Sequence, residues 1–234
     1  MQYFGGKFRI AKKLAELLNG HVEGTDYYLE PFVGACNVAP LIRHESIYAS
    51  DVNHYLIAMF QALQEGWLPP QSLSKEEYVH IRDNKDEDPP LTAFAGFACS
   101  FAGKWFGGYA RNHRQGEERI YATNGHNSLA KLAPTISHIK FSSCDFATWN
   151  PVNALIYCDP PYSNTTGYDQ SGYFNHVRFW EIMRLWSKDN DVFVSEYSAP
   201  DDFQCVLEIS TSLEIRDREN KRQHKVEKVF RMGR

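Results

Sequence analysis

Apolar positions recur with a helical period from about Phe8 through Ala11, Leu14, Ala15 and Leu18, and the Asn19-Gly20 pair ends that run. A short apolar strand follows at Tyr27 to Leu29, then a second at Ile47 to Ser50 that ends on Asp51. Asn53 is placed to cap a helix carrying Leu56, Ile57, Phe60 and Leu63 on one side. Farther along, His138 to Ser142, Asn153 to Cys158, Val192 to Ser195, Cys205 to Ser210 and Val226 to Met232 read as strands, and Val177 to Trp186 as a helix. Strands alternating with helices predict an α/β fold around an open, mixed, mostly parallel sheet.

Between the two halves the pattern changes. From about Gly66 to Thr135 the chain opens with Pro69-Pro70, passes a capping box at Ser74 to Glu77 and an acidic run from Asp83 to Asp88, and continues into a glycine-rich, aromatic and basic stretch. Helical pieces plus a hairpin suit this segment better than a sheet strand. The expected organisation is a main domain of residues 1–65 and 136–234, with 66–135 as an inserted, mainly helical subdomain.

Composition narrows the class without deciding it. The 234 residues are 43% hydrophobic and 23% charged, which fits a globular domain with a full core. Lys7, Arg9, Lys12 and Lys13 interrupt any apolar signal core, and the longest charge-free stretch is too short for a bilayer, so a cytoplasmic protein with no membrane partner is expected. The 5 cysteines are widely spaced with no CxxC pair, so neither a disulfide framework nor a metal site is indicated.

Two constellations carry chemistry. Glu30 to Cys36 sits where a strand turns into a helix, the ligand position of open α/β sheets, and Asp51 follows Gly34 at a spacing that reaches ribose hydroxyls. The second and third glycines of a GxGxxG cradle are absent, which favours an adenosyl ligand without phosphates. Asp159-Pro160-Pro161-Tyr162 directly follows a strand and faces the same crevice. Its prolines remove two amide donors and leave the Asp159 carboxylate and the Pro160 carbonyl as acceptors, suited to an amino group with two hydrogens. The ring of Tyr162 can stack on the heterocycle bearing that amine.

These residues resemble the Dam-like DNA adenine-N6 methyltransferases in which the cofactor motifs precede the catalytic one. Tyr3-Phe4-Gly5-Gly6-Lys7 is similar to the family's N-terminal motif, EPFVGACNV to its glycine turn, Asp51-Val52-Asn53 to its ribose motif and Asp159 to Tyr162 to its catalytic tetrad. Ser143 to Phe146 resembles the segment bordering the cofactor adenine, and Ser195-Glu196-Tyr197 fills the place of a later motif. The resemblance implies a seven-stranded Rossmann-like sheet and S-adenosylmethionine (SAM) as cofactor, contacted by Tyr3, Gly6, Lys7, Glu30, Phe32, Gly34, Asp51, Asp145, Phe146 and Asp159. It implies catalysis by Asp159, Pro160 and Tyr162 on an adenine flipped out of double-stranded DNA, with no obligate protein partner. The family usually has a second glycine where this chain has Cys36, and a side chain there is expected to crowd the methionine part of the cofactor.

DNA contact is expected from Lys104, Trp105, Tyr109, Arg111, Arg114 and Arg119, which interleave basic and aromatic groups. Alternatives are transfer to an exocyclic amine of RNA adenine or cytosine, or a non-catalytic DNA-binding relative. The formal net charge of -4 weighs against a nucleic-acid partner only as an average. Residues 216–234 hold eight Lys or Arg against three Asp or Glu, so a basic tail follows an acidic body.

Overall fold

The computed structural model describes residues 1–110, 113–114, 117–118, 121–162, 174–216 and 222–233, with side chains for all of these except 113–114, 117–118, 211–216 and 222–225. Its strands are β1 (Tyr27–Glu30), β2 (Ile47–Asp51), β3 (His113–Arg114), β4 (Glu117–Glu118), β5 (Ile139–Ser143), β6 (Ala154–Cys158), β7 (Asp191–Glu196), β8 (Phe203–Arg216) and β9 (Arg222–Met232). Its helices are α1 (Ala11–Asn19), α2 (His54–Gln64), α3 (Lys75–Asp83), α4 (Pro89–Ala93), α5 (Tyr121–Leu132) and α6 (His176–Trp186).

Seven strands form one sheet in the order β5-β2-β1-β6-β7-β9-β8. The first five run parallel, and β9 runs antiparallel to both of its neighbours, β7 and β8. This is the open, mostly parallel, Rossmann-like sheet of seven strands that the family resemblance implies. Successive residues of a strand point to opposite faces, and both faces here are covered. Tyr28, Tyr157 and Phe193 face a cluster with Leu14, Leu18, Leu56 and Phe60 from α1 and α2. Leu29, Ile156 and Val194 face a second cluster with Phe179, Met183 and Trp186 from α6.

The described part of residues 66–135 holds short helical pieces and one small antiparallel strand pair. Ser74 and Glu77 form the reciprocal capping box that starts α3. β3 and β4 pair antiparallel, and α4 runs on into a π-helical turn at Phe94–Ala98. Tyr78, Phe94, Phe97, Ala98 and Leu129 belong to the same cluster as α1 and α2, so one core is continuous beneath both parts of the chain. Among the described residues, no helix is long and apolar enough to cross a membrane.

Two boundaries depart from the pattern. α1 begins at Ala11 rather than near Phe8, because the chain turns at Lys7, whose carbonyl accepts the Ile10 N–H at 2.9 Å. That turn buries Lys7 and leaves Phe8 82% exposed. β8 continues to Arg216 rather than stopping near Ser210, because β9 pairs with it along its length.

Candidate active site

The parallel strands β1, β2 and β6 all end at one edge of the sheet, and there the loops enclose a cavity of about 810 Å³. Five of the separated stretches that border it are Tyr3 to Lys7, Glu30 to Val38 in part, Asp51 to Asn53, Cys144 to Phe146, and Asp159 with Pro161. All ten residues expected at the cofactor are among its lining.

The turn after β1 is shaped by Gly34, whose φ of +46° is a left-handed conformation that side chains disfavour. A Cβ there would lie 3.2 Å from the Tyr3 ring, so the glycine also admits the N-terminal segment. Asp51, at the end of β2, accepts the Gly34 N–H at 3.1 Å and the Asn53 N–H at 2.9 Å. Burial raises its carboxyl above the ordinary range, and the three backbone donors around it oppose that rise. Glu30 accepts the Tyr28 hydroxyl at 2.9 Å, and burial pushes its carboxyl up to about 8. Phe32 and Phe146 lie with centroids 5.0 Å apart, and Phe174 meets both near 6 Å, giving that part of the wall flat apolar surfaces. Asp145 accepts the Ala147 N–H at 2.8 Å and starts the short helical turn that carries Phe146.

At the opposite side, Asp159 follows β6 directly. The Lys7 ammonium lies 3.0 Å from Asp159 Oδ1, donates to the Tyr162 hydroxyl at 2.7 Å and donates to Glu227 Oε2 at 3.3 Å. The Tyr162 hydroxyl in turn donates to Glu227 at 2.9 Å, closing a ring of three groups. Burial by itself would lower the Lys7 ammonium, but Asp159 and Glu227 outweigh it and hold the lysine charged. Burial raises the Asp159 carboxyl, Lys7 pulls it back, and Glu227 pushes it up. Behind this cluster, Tyr157 and Ser195 share a 2.7 Å hydrogen bond, and Glu196 accepts the Tyr197 N–H.

The remaining expected residues sort differently. Pro160 is buried, and neither it nor Tyr162 is among the cavity-lining residues; the Tyr162 ring meets Tyr197 edge-on at 4.7 Å. Lys104 is exposed at the cavity rim with its ammonium 4.9 Å from the Phe4 ring. Trp105 also borders the cavity and stacks on Tyr55 at 5.5 Å. Tyr109 packs against Tyr78 and donates its hydroxyl to the Leu73 carbonyl at 2.6 Å, which gives it a place in the insertion's interior. Arg114 lies on β3 with its side chain outside the described residues, as are Arg111 and Arg119 altogether. In the basic tail, Arg231 is paired with Asp191, and Lys228 lies 3.3 Å from Glu208.

Cys36 does not crowd the cavity. Its side chain is 1% exposed within the first core cluster, at a φ of +54°, and is not among the lining residues. The left-handed turn directs the thiol into the interior, so the backbone conformation that favours glycine remains while the obstruction disappears.

The site also holds residues that the sequence reading passed over. Asn175 caps α6 by accepting the Arg178 N–H, and both border the cavity. Glu227 was counted only within a charged tail. The usable signal was its position two residues before Val229 on an apolar strand, which places both on one face.

Comparison with known proteins agrees with this geometry. A sequence profile of the D12 class N6 adenine-specific DNA methyltransferases matches residues 3–224. The DNA adenine methylases of two Vibrio cholerae serotype O1 strains are each 24% identical over 200 residues, covering 74% of this chain and 70% of theirs. The type II methyltransferase M.FokI of Planomicrobium okeanokoites is 24% identical over 191 residues, which are 71% of this chain and 29% of that protein. A crystal structure from Pyrococcus horikoshii, provisionally assigned as an RNA methyltransferase, covers 95% of this chain and 81% of its own at 11% identity and a TM-score of 0.42, too loose a likeness to add to the topology above. With the profile spanning nearly the whole chain, and Asp159 and the glycine turn meeting at one cavity, this protein belongs to the D12 class of N6 adenine-specific DNA methyltransferases.

Proposed function

We propose that the cavity holds S-adenosylmethionine and that its Asp159 side receives an adenine turned out of double-stranded DNA. The observation that carries this reading is the convergence of five sequence-distant segments on one cavity at the C-terminal edge of the parallel strands. The residues present fit the cofactor. The cavity is of small-molecule size, its aromatic wall suits a flat heterocycle, Asp51 offers acceptors for hydroxyls, and the turn has no polyglycine cradle for phosphates. When bound, the sulfonium supplies an electrophilic methyl group.

The chain's own residues do the rest by position and charge. Asp159 and the Pro160 carbonyl accept hydrogen bonds from the adenine amino group and orient its nitrogen lone pair. The Lys7 ammonium, 3.0 Å from Asp159, partly offsets the rise that burial imposes on the Asp159 carboxyl. An adenine inside a duplex cannot reach Asp159, so it is turned out at a cost of about a few kcal/mol. Tyr162 bears on the flipped ring once the base arrives. Lys104 and Trp105, at the rim, contact the strand around it, and Arg111, Arg114 and Arg119 of the 66–135 segment supply phosphate and base contacts. The setting is the cytoplasm of a bacterial or phage-infected cell.

Methyl-labelled cofactor incubated with unmethylated duplex DNA, RNA and protein tests the reading. Label is expected in DNA alone, as N6-methyladenine after nucleoside digestion. Asp159→Ala is expected to abolish transfer while its circular dichroism spectrum stays that of the wild type. Label in RNA or cytosine, or turnover retained by Asp159→Ala, would overturn it.

A further inference from the structure

We infer that Glu227 is a positioning residue for methyl transfer: it draws Lys7 and Tyr162 together so that Asp159 keeps an acceptor for the target amine. The inference rests on the proposed function of the same site. Three oxygens surround the Lys7 ammonium: those of Tyr162 and Glu227 accept hydrogen bonds from it, and Asp159 Oδ1 pairs with it by charge at 3.0 Å while making no hydrogen bond of its own. Glu227 is 9% exposed on β9, and one of its oxygens accepts from both Lys7 and the Tyr162 hydroxyl. The lysine charge is therefore divided between two carboxylates. Without Glu227, Asp159 is the one carboxylate left among these three partners of the ammonium, and a fully paired Asp159 is a weaker acceptor for an amine.

Glu227 also sets the aromatic ring. The Tyr162 ring lies 4.4 Å from the Lys7 ammonium, and its hydroxyl is held between Lys7 and Glu227. Its orientation beside the target base thus depends on β9, an element outside the cofactor-binding strands β1, β2 and β6. β9 reaches the site because it pairs with β7, with Lys228 opposite Glu196. Glu227 therefore stands at the C-terminal end of β7, on the side where the cavity opens.

Glu227→Gln in the full chain, which keeps shape and removes charge, tests this. The expected result is a fall in kcat of about tenfold or more, with KM for SAM and for DNA within about twofold. In a Tyr162→Phe background the same change is expected to cost much less, because the two act through one hydrogen-bonded unit. A second readout needs no turnover: reductive methylation with formaldehyde and borohydride, followed by peptide mass spectrometry, is expected to label Lys7 several-fold faster in Glu227→Gln. An active wild type beside a Glu227→Gln of equal kcat, a change confined to KM, additive effects with Tyr162→Phe, or unchanged Lys7 labelling each overturns the role of Glu227. A wild type that transfers no methyl overturns the proposed function, and Lys7 labelling then decides whether Glu227 holds the lysine.

Discussion

The backbone N–H of Gly34 donates to Asp51 Oδ2 across 3.1 Å. Because the other oxygen of Asp51 accepts from Asn53, one carboxylate ties the turn after β1 to the start of α2. Asp51→Ala removes both acceptors and leaves the backbone donors of Gly34, Val52 and Asn53 to find water. A loss of about 1–3 kcal/mol is expected in urea denaturation, together with SAM affinity weakened at least about tenfold by calorimetric titration. Asp51→Asn, with one acceptor left, should fall between. Equal affinity in all three proteins would remove Asp51 from the site.

Gly103 joins the insertion to the N-terminal segment. It has a φ of +67°, and a Cβ would lie 2.7 Å from the Tyr3 nitrogen, while its carbonyl accepts the Phe4 N–H at 3.0 Å. Backbone cannot yield as a side-chain tip would. Gly103→Ala is therefore expected to destabilise by about 1–3 kcal/mol and to weaken SAM binding by displacing Tyr3. A thermal midpoint within about 1 °C of the wild type would contradict the close approach.

Cys36→Gly distinguishes a thiol turned inward from one crowding the cavity. With the side chain in the core, SAM affinity should stay within about twofold of the wild type, equivalent to about 0.4 kcal/mol. Tightening of tenfold or more in the same titration would restore the crowding explanation.

Glu30 makes stability depend on pH. Its carboxyl is pushed by burial from an ordinary 4.5 up to about 8. The folded protein thus keeps a proton that the unfolded chain releases over this range. The contribution is full below about 4.5 and is lost as pH rises through about 8, at a slope of up to about 1.4 kcal/mol per pH unit. Glu30→Gln mimics the protonated form and should flatten that part of the decline. Urea midpoints taken from about pH 5 to about pH 8 for both proteins provide the comparison. Parallel declines would show that Glu30 does not keep its proton.

Period and punctuation were enough to read most of the sheet, because β1, β2, β6 and β7 are apolar runs buried on both faces. They were not enough for α5. Its Asn124-Gly125-His126-Asn127 core has low helix propensity. Packing overrides that preference: a Cβ at Gly125 would lie 2.8 Å from both the Ala98 side chain and the Phe94 ring, so only glycine permits this approach.

The candidate site was legible where one short motif meets another at a strand end, as with Glu30, Gly34, Asp51 and Asp159. It was illegible where a residue's partner is remote. Lys7 and Tyr162 belonged to separate motifs, and nothing local shows that they touch each other or Glu227. Trp105 and Tyr109 look alike in sequence, yet Trp105 borders the cavity while Tyr109 braces the insertion's interior.

The contact between Lys7 and Glu227 spans 220 positions of sequence. Folding during synthesis proceeds from the N-terminus, and a pairing this distant must await most of the chain. The buried lysine and its carboxylates therefore come together only when β9 docks on β7. A nascent chain that already has β1, β2 and the glycine turn still lacks Glu227, so the full set of partners around Lys7 cannot assemble until β9 has been made.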